Sequence, residues 1–158
     1  MFSANDDQTL KTNLGITPEV FVFIFVGRLV ADKEINELIQ AFQKVVGETN
    51  EVKLLLVGAF ETDLDSLVRG ASYEITANNK IISVGFQKEV RPYFSVGSCL
   101  GFPSYREGFP NVVMQSGAMG LPSIVTNING RNEIVIEGEN RIIIPVKNNN
   151  ARYEALLK

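Results

Sequence analysis

The sequence predicts an α/β fold, a doubly wound parallel sheet of Rossmann-like type in a single domain. Three observations carry this. Short apolar runs without alternation recur along the chain, several closed by a glycine, as expected of strands covered on both faces. Between them lie stretches whose apolar residues return at helical spacing. At 158 residues the chain has the size of one domain, able to bury about 68–70% of its unfolded surface.

Residues 1–15 read as a lead-in segment, either a short helix over 8–14 or a loose tether, and residues 16–158 as the domain. Residues 20–26 (VFVFIFV) form the first strand, ended by Gly27. Residues 33–47 follow as an amphipathic helix, with Ile35, Leu38, Ile39, Phe42, Val45 and Val46 on one face and Gly47 as its stop. The unit repeats: a strand over 52–57 closed by Gly58, a helix over 61–69 closed by Gly70, and a strand over 80–84 closed by Gly85. A weak helix over 89–95, a strand over 99–102, a helix over 111–119, strands over 123–125 and 141–144, and a helix over 151–157 complete the series. The abrupt end of that last helix at Lys158 leads to the expectation of a fragment. Right-handed crossovers place the helices on both faces, and ligands of such sheets sit at the carboxyl ends of the strands near the switch in strand order. The loops after Val26, Phe102 and Val125 are therefore the candidate site.

Composition narrows the chemistry. A net charge of −3 and 21% charged residues argue against a nucleic-acid partner, which calls for a basic surplus. The absence of histidine excludes His-based acid–base catalysis, Ser-His-Asp hydrolysis and His-ligated metal sites. The single cysteine, Cys99, makes no internal disulfide, fits a reducing cytoplasm and reads as a small buried hydrophobe. The first residues carry acids where a secretory leader is basic, and the longest apolar run is far too short to cross a bilayer.

Neither G-x-G-x-x-G nor a Walker A pattern is present. The first strand runs instead into GRLVADKE, which puts Arg28 directly after it and Lys33 at the start of the next helix. Two cations there suit an anionic ligand, with Arg28 as a fork and Lys33 as a point charge. The competing reading is a surface ion pair of Arg28 with Glu34 and a solvated Lys33. A second stretch, YREGFPNVVMQSGAMGLP, sets Glu107, Gly108, Phe109 and Pro110 before a helix that begins at Asn111. Pro110 suits the first helical position, and the free amides behind it suit a phosphate. Gly108 permits close approach of the backbone, Glu107 can accept hydrogen bonds from sugar hydroxyls, and Gln115 lies about one turn into the helix. The plainer alternative has Glu107 complementing the helix dipole and Gln115 on a solvated face.

The segments VGRLVADKEINELIQAF, LLLVG, PSYREGFPNVVMQSGAMGLPSIVT and NEIVIEGEN together resemble the C-terminal, donor-binding domain of the family 4 glycosyltransferases, which have the two-domain GT-B architecture. The resemblance spans about residues 14–148. It implies one half of a GT-B fold whose donor is a nucleotide-diphosphate sugar. Arg28 and Lys33 match the family's diphosphate-holding cations, and Glu107 opens its E-x7-E motif and contacts the donor sugar. Its second glutamate binds the nucleotide ribose, and Gln115 stands there in this chain. That change should cost donor affinity about 1–2 kcal/mol, because a neutral amide makes a weaker bond to a hydroxyl. Ser98, where an aspartate is common, and Arg131 and Arg141, where small residues are common, are further departures.

The implied function is donor binding for a retaining, metal-independent glycosyltransferase in polysaccharide or glycolipid biosynthesis. Glu107, Arg28 and Lys33 would be its catalytic groups, and Gly108, Phe109, Asn111 and Gln115 would join them in holding the donor. Expected partners are the nucleotide-diphosphate sugar and an N-terminal acceptor-binding domain, in a cytoplasmic protein. Lipid-linked acceptors would bring the full-length protein to the inner face of the membrane, although no basic amphipathic helix here argues for it. The alternative is a non-catalytic diphosphate-binding or interaction module derived from such a domain. A nucleotide-sugar epimerase of similar architecture is disfavoured by the lack of suitable acid–base residues.

Overall fold

Apolar residues that are covered on both faces set the architecture. The computed structural model describes residues 4–61, 69–102, 111–126 and 141–144. In chain order these form α1 (Ala4–Asn13), β1 (Phe21–Val26), a 3-10 turn (Ala31–Lys33), α2 (Ile35–Val46), β2 (Val52–Val57), α3 (Arg69–Ala77), β3 (Ile81–Ser83), α4 (Arg91–Val96), β4 (Cys99–Phe102), α5 (Asn111–Ala118), β5 (Ser123–Thr126) and β6 (Arg141–Ile144). The strands make one six-stranded sheet in the order β3-β2-β1-β4-β5-β6. Each neighbouring pair is parallel, with Phe21 opposite Val52 and Phe23 opposite Cys99 in the two ladders that flank β1. This is the doubly wound order, and its reversal falls between β1 and β4.

The core lies on both sides of β1 and β2. Ile24, Phe25, Leu54, Leu55 and Leu56 are fully buried, which is why these strands read as continuous apolar runs. Helix α2 buries Ile35, Leu38, Ile39, Phe42 and Val45 against them, as its periodicity predicts. Helix α1 is the ordered form of the lead-in: it packs on α4, and the Ser95 hydroxyl donates to the Asp7 carboxylate at 2.6 Å.

Helix α1 starts four residues before the helix expected over 8–14, and two further elements depart from their sequence expectation. The helix expected over 33–47 begins at Ile35, after a 3-10 turn that ends at Lys33. Glu34 between them takes φ 53, a left-handed conformation that neither helix can continue through, and it is the sole non-glycine residue with positive φ among the described residues. The helix expected over 61–69 with a stop at Gly70 is also corrected. Glu61 lies outside any helix, residues 62–68 fall outside the described residues, and α3 runs from Arg69 through Gly70 to Ala77. Gly70 is absent from the glycines with positive φ, so it is an ordinary helical residue rather than a cap. The helix expected over 151–157 lies outside the described residues.

Candidate functional site at the carboxyl ends of the strands

The pairing of β1 with β2 continues past both strands. Gly27 donates its N–H to Val57 O at 3.0 Å, Leu29 donates to Ala59 O at 2.9 Å, and Leu29 forms a bridge with Phe60. The two loops are pressed so closely together that a Cβ on Gly58 would lie 1.7 Å from Gly27 O. Glycine is required there by contact. Leu29 and Val30 are buried, which anchors the segment and leaves Arg28 on the exposed side.

Arg28 and Glu61 therefore end up side by side. Arg28 Nη1 donates to Glu61 Oε2 at 3.0 Å, with the two side chains 56% and 34% exposed. This corrects the Arg28–Glu34 pair offered by the sequence: the carboxylate on Arg28 belongs to Glu61, whereas Glu34 is fully buried. The pair forms one wall of a cleft of about 330 Å³ at the tips of β1, β2 and β3, lined also by Gly27, Gly58, Phe86, Gln87 and Val90. Among the described residues Phe86 is the most exposed of the large apolar side chains, at 76%.

Lys33 closes the 3-10 turn beyond Arg28, half-buried, with its N–H donated to Val30 O. On the other side of the switch point, α5 follows β4, so a right-handed crossover starts this helix at the carboxyl edge next to β1. Asn111 opens α5 and Gln115 stands one turn later; both are exposed, and their spacing of four puts them on one face. Glu107, Gly108 and Phe109 fall between β4 and α5, outside the described residues, and Arg131, between β5 and β6 in the chain, is outside them too. The structure thus puts Arg28 and Lys33 after β1 and Asn111 and Gln115 on the helix after β4, the two strands that border the reversal in order, while of the four only Arg28 lines the cleft.

Sequence reasoning passed over the loops after β2 and β3, which carry Glu61 and Phe86. A signal was available: each follows a strand-ending glycine, as Arg28 does. Ser98 takes a structural part at the opposite edge, where its hydroxyl accepts the Val22 N–H at 3.0 Å. Cys99 is buried as expected, and burial pushes its thiol up to about 12. Among the described residues no group of three or more histidine, cysteine, aspartate or glutamate side chains is placed to hold a metal ion, and no helix is long and apolar enough to cross a membrane.

A family model described as glycosyl transferases group 1 matches residues 20–158, and the chain belongs to that family. The capsular polysaccharide biosynthesis glycosyltransferase CapM of Staphylococcus aureus is 35% identical over 124 residues, which cover 78% of this chain and 32% of CapM. Among solved structures, Anabaena HepE in complex with UDP-glucose matches with a TM-score of 0.85 at 22% identity, over 97% of this chain and 42% of that one. The C-terminal domain of a glycosyl transferase group 1 family protein from Francisella tularensis matches with a TM-score of 0.81 at 19% identity, over 98% of this chain and 81% of that domain. The fold is therefore the Rossmann-like half of a GT-B architecture. The chain spans about a third of the length of the curated relatives it matches.

Proposed function

We propose that residues 16–158 bind the nucleotide-diphosphate sugar for a retaining, metal-independent glycosyltransferase that acts in polysaccharide or glycolipid biosynthesis on the cytoplasmic side of the membrane. The observation that carries this reading is the position of Arg28, on the wall of an open cleft at the carboxyl end of β1, beside the reversal in strand order. Transfer from such a donor leaves a nucleoside diphosphate, so catalysis depends on receiving negative charge as the glycosidic bond breaks. Arg28 supplies a guanidinium for this, Lys33 an ammonium, and the first turn of α5 its free amides. In this reading Glu107 holds the sugar hydroxyls, Gly108 and Phe109 bring backbone close to the phosphates, and Asn111 and Gln115 face the nucleotide side. The acceptor and any general base come from an N-terminal domain beyond this chain. Support also comes from HepE, which was solved with UDP-glucose, and from CapM, which acts in capsular polysaccharide biosynthesis.

Calorimetric titration of UDP, GDP and their sugars into the chain tests the reading. Loss of diphosphate affinity in Lys33→Ala, with loss of sugar discrimination alone in Glu107→Ala, is the expected pattern. Unchanged affinity in both would refute it. A non-catalytic diphosphate-binding module is the second reading, favoured by Gln115 where the family has a carboxylate; it predicts diphosphate binding with no transfer by the full-length protein.

A further inference from the structure

Arg28 is engaged by a carboxylate on the wall of the cleft, and that contact bears on how a diphosphate enters and leaves. The partner comes from another loop, 33 residues away in sequence, and is held in place by backbone pairing rather than by chance. Gly27 to Val57, Leu29 to Ala59 and the Leu29–Phe60 bridge fix the two loops against each other, so Glu61 stays beside Arg28 whether or not their side chains are joined. Both residues line the same cleft.

We propose that Glu61 is a resident competitor for the anion site, pairing with Arg28 when the cleft is empty and discriminating against the nucleoside diphosphate product relative to the sugar donor. This rests on the reading of Arg28 as a diphosphate ligand. An incoming donor takes the guanidinium from Glu61, whose carboxylate remains near the phosphates and repels them. A nucleoside diphosphate carries about one more negative charge than its sugar ester at pH 7.5, because its free terminal phosphate ionises near pH 6. The repulsion is therefore larger for the product. Once the bond to the sugar is broken, Glu61 can reclaim Arg28 and hasten departure of the diphosphate.

The test is calorimetric titration at pH 7.5 with inorganic pyrophosphate, UDP, GDP, UDP-glucose and GDP-mannose, using wild type, Glu61→Gln, Glu61→Ala, Arg28→Ala and the Arg28→Ala/Glu61→Gln double variant. Thermal melting of each variant establishes that it is folded. An exposed pair of this kind is modest in strength, so Glu61→Gln should tighten the diphosphates by about three- to fivefold and the sugar esters by about twofold or less. Glu61→Ala should act in the same direction. The gain should shrink in high salt, and in the Arg28→Ala background it should fall to the part due to direct repulsion, still larger for the diphosphates than for the sugar esters, which loss of packing alone would not produce. Loss of binding in Arg28→Ala, with Glu61→Gln and Glu61→Ala equal to or weaker than wild type, would overturn the competitor role and leave the diphosphate reading standing. Equal tightening of diphosphates and sugar esters would overturn the discrimination. Equal binding by Arg28→Ala and wild type, or no binding of any probe, would overturn both proposals.

Discussion

Strand β1 meets its surroundings in two different ways at its two ends. At the amino end, Val22 and Ser98 exchange hydrogen bonds: the Val22 N–H goes to the Ser98 hydroxyl, and the Ser98 N–H goes to Val22 O at 2.7 Å. Cys99 follows at once, buried and opposite Phe23. At the carboxyl end, Gly27 and Gly58 bring backbone against backbone and leave Arg28 and Glu61 over an open cleft. One end spends its polar groups on itself, and the other keeps a charged pair within reach of solvent. The lesson is that stability and binding are separable along a single strand, and each can be attacked alone.

The largest effect should come from Gly58→Ala, which strikes both. Its Cβ would overlap Gly27 O, a backbone atom, and the loops cannot part without breaking the hydrogen bonds that extend the β1–β2 ladder. A loss of about 3 kcal/mol is expected in urea unfolding, together with weaker diphosphate binding. Next in size, Lys33→Ala should weaken UDP or GDP about tenfold while leaving the unfolding midpoint within about 0.5 kcal/mol of wild type. At the opposite end, Ser98→Ala should reverse that pattern. It leaves the Val22 N–H without its acceptor and should cost about 1–2 kcal/mol of stability with ligand affinity unchanged.

The smallest effect is on pH dependence. The Cys99 thiol is raised from 9.0 to about 12 by burial, so between those values the unfolded chain has lost a proton that the folded chain keeps. The folded state then binds more protons than the unfolded one, and this group's contribution makes stability fall as pH rises above about 9. A decline of about 1 kcal/mol by pH 10, reduced in Cys99→Ala, is the expected result in melts from pH 8 to 10. A thiol reagent should react slowly with the folded protein and fast in denaturant.

How much of this was legible in the sequence follows from what each feature depends on. The strands were plain because burial on both faces leaves an uninterrupted apolar run, as in 21–26 and 52–57. Helix α2 was plain because six apolar residues share one stripe. Helix α3 was not, because its buried stripe is reduced to Ala71 and Ile75, and Gly70 resembles a stop unless its φ is known. The turn at Glu34 was hidden because left-handed backbone is rarely given to glutamate. The cations that follow β1, Arg28 and Lys33, were visible from their place after the strand. The pairing of Glu61 with Arg28 was not, even though Gly58 marks the loop that carries Glu61, since only the register of β1 on β2 brings the two side chains together. No local pattern encodes a contact of that kind.

The most direct test sets the two ends against each other in one titration, with UDP and GDP added to wild type, Arg28→Ala and Ser98→Ala. Diphosphate affinity should drop at least tenfold in Arg28→Ala and stay at the wild-type value in Ser98→Ala, while the order of the two reverses in thermal stability. Wild-type affinity in Arg28→Ala would contradict the placement of the diphosphate at the carboxyl end of β1.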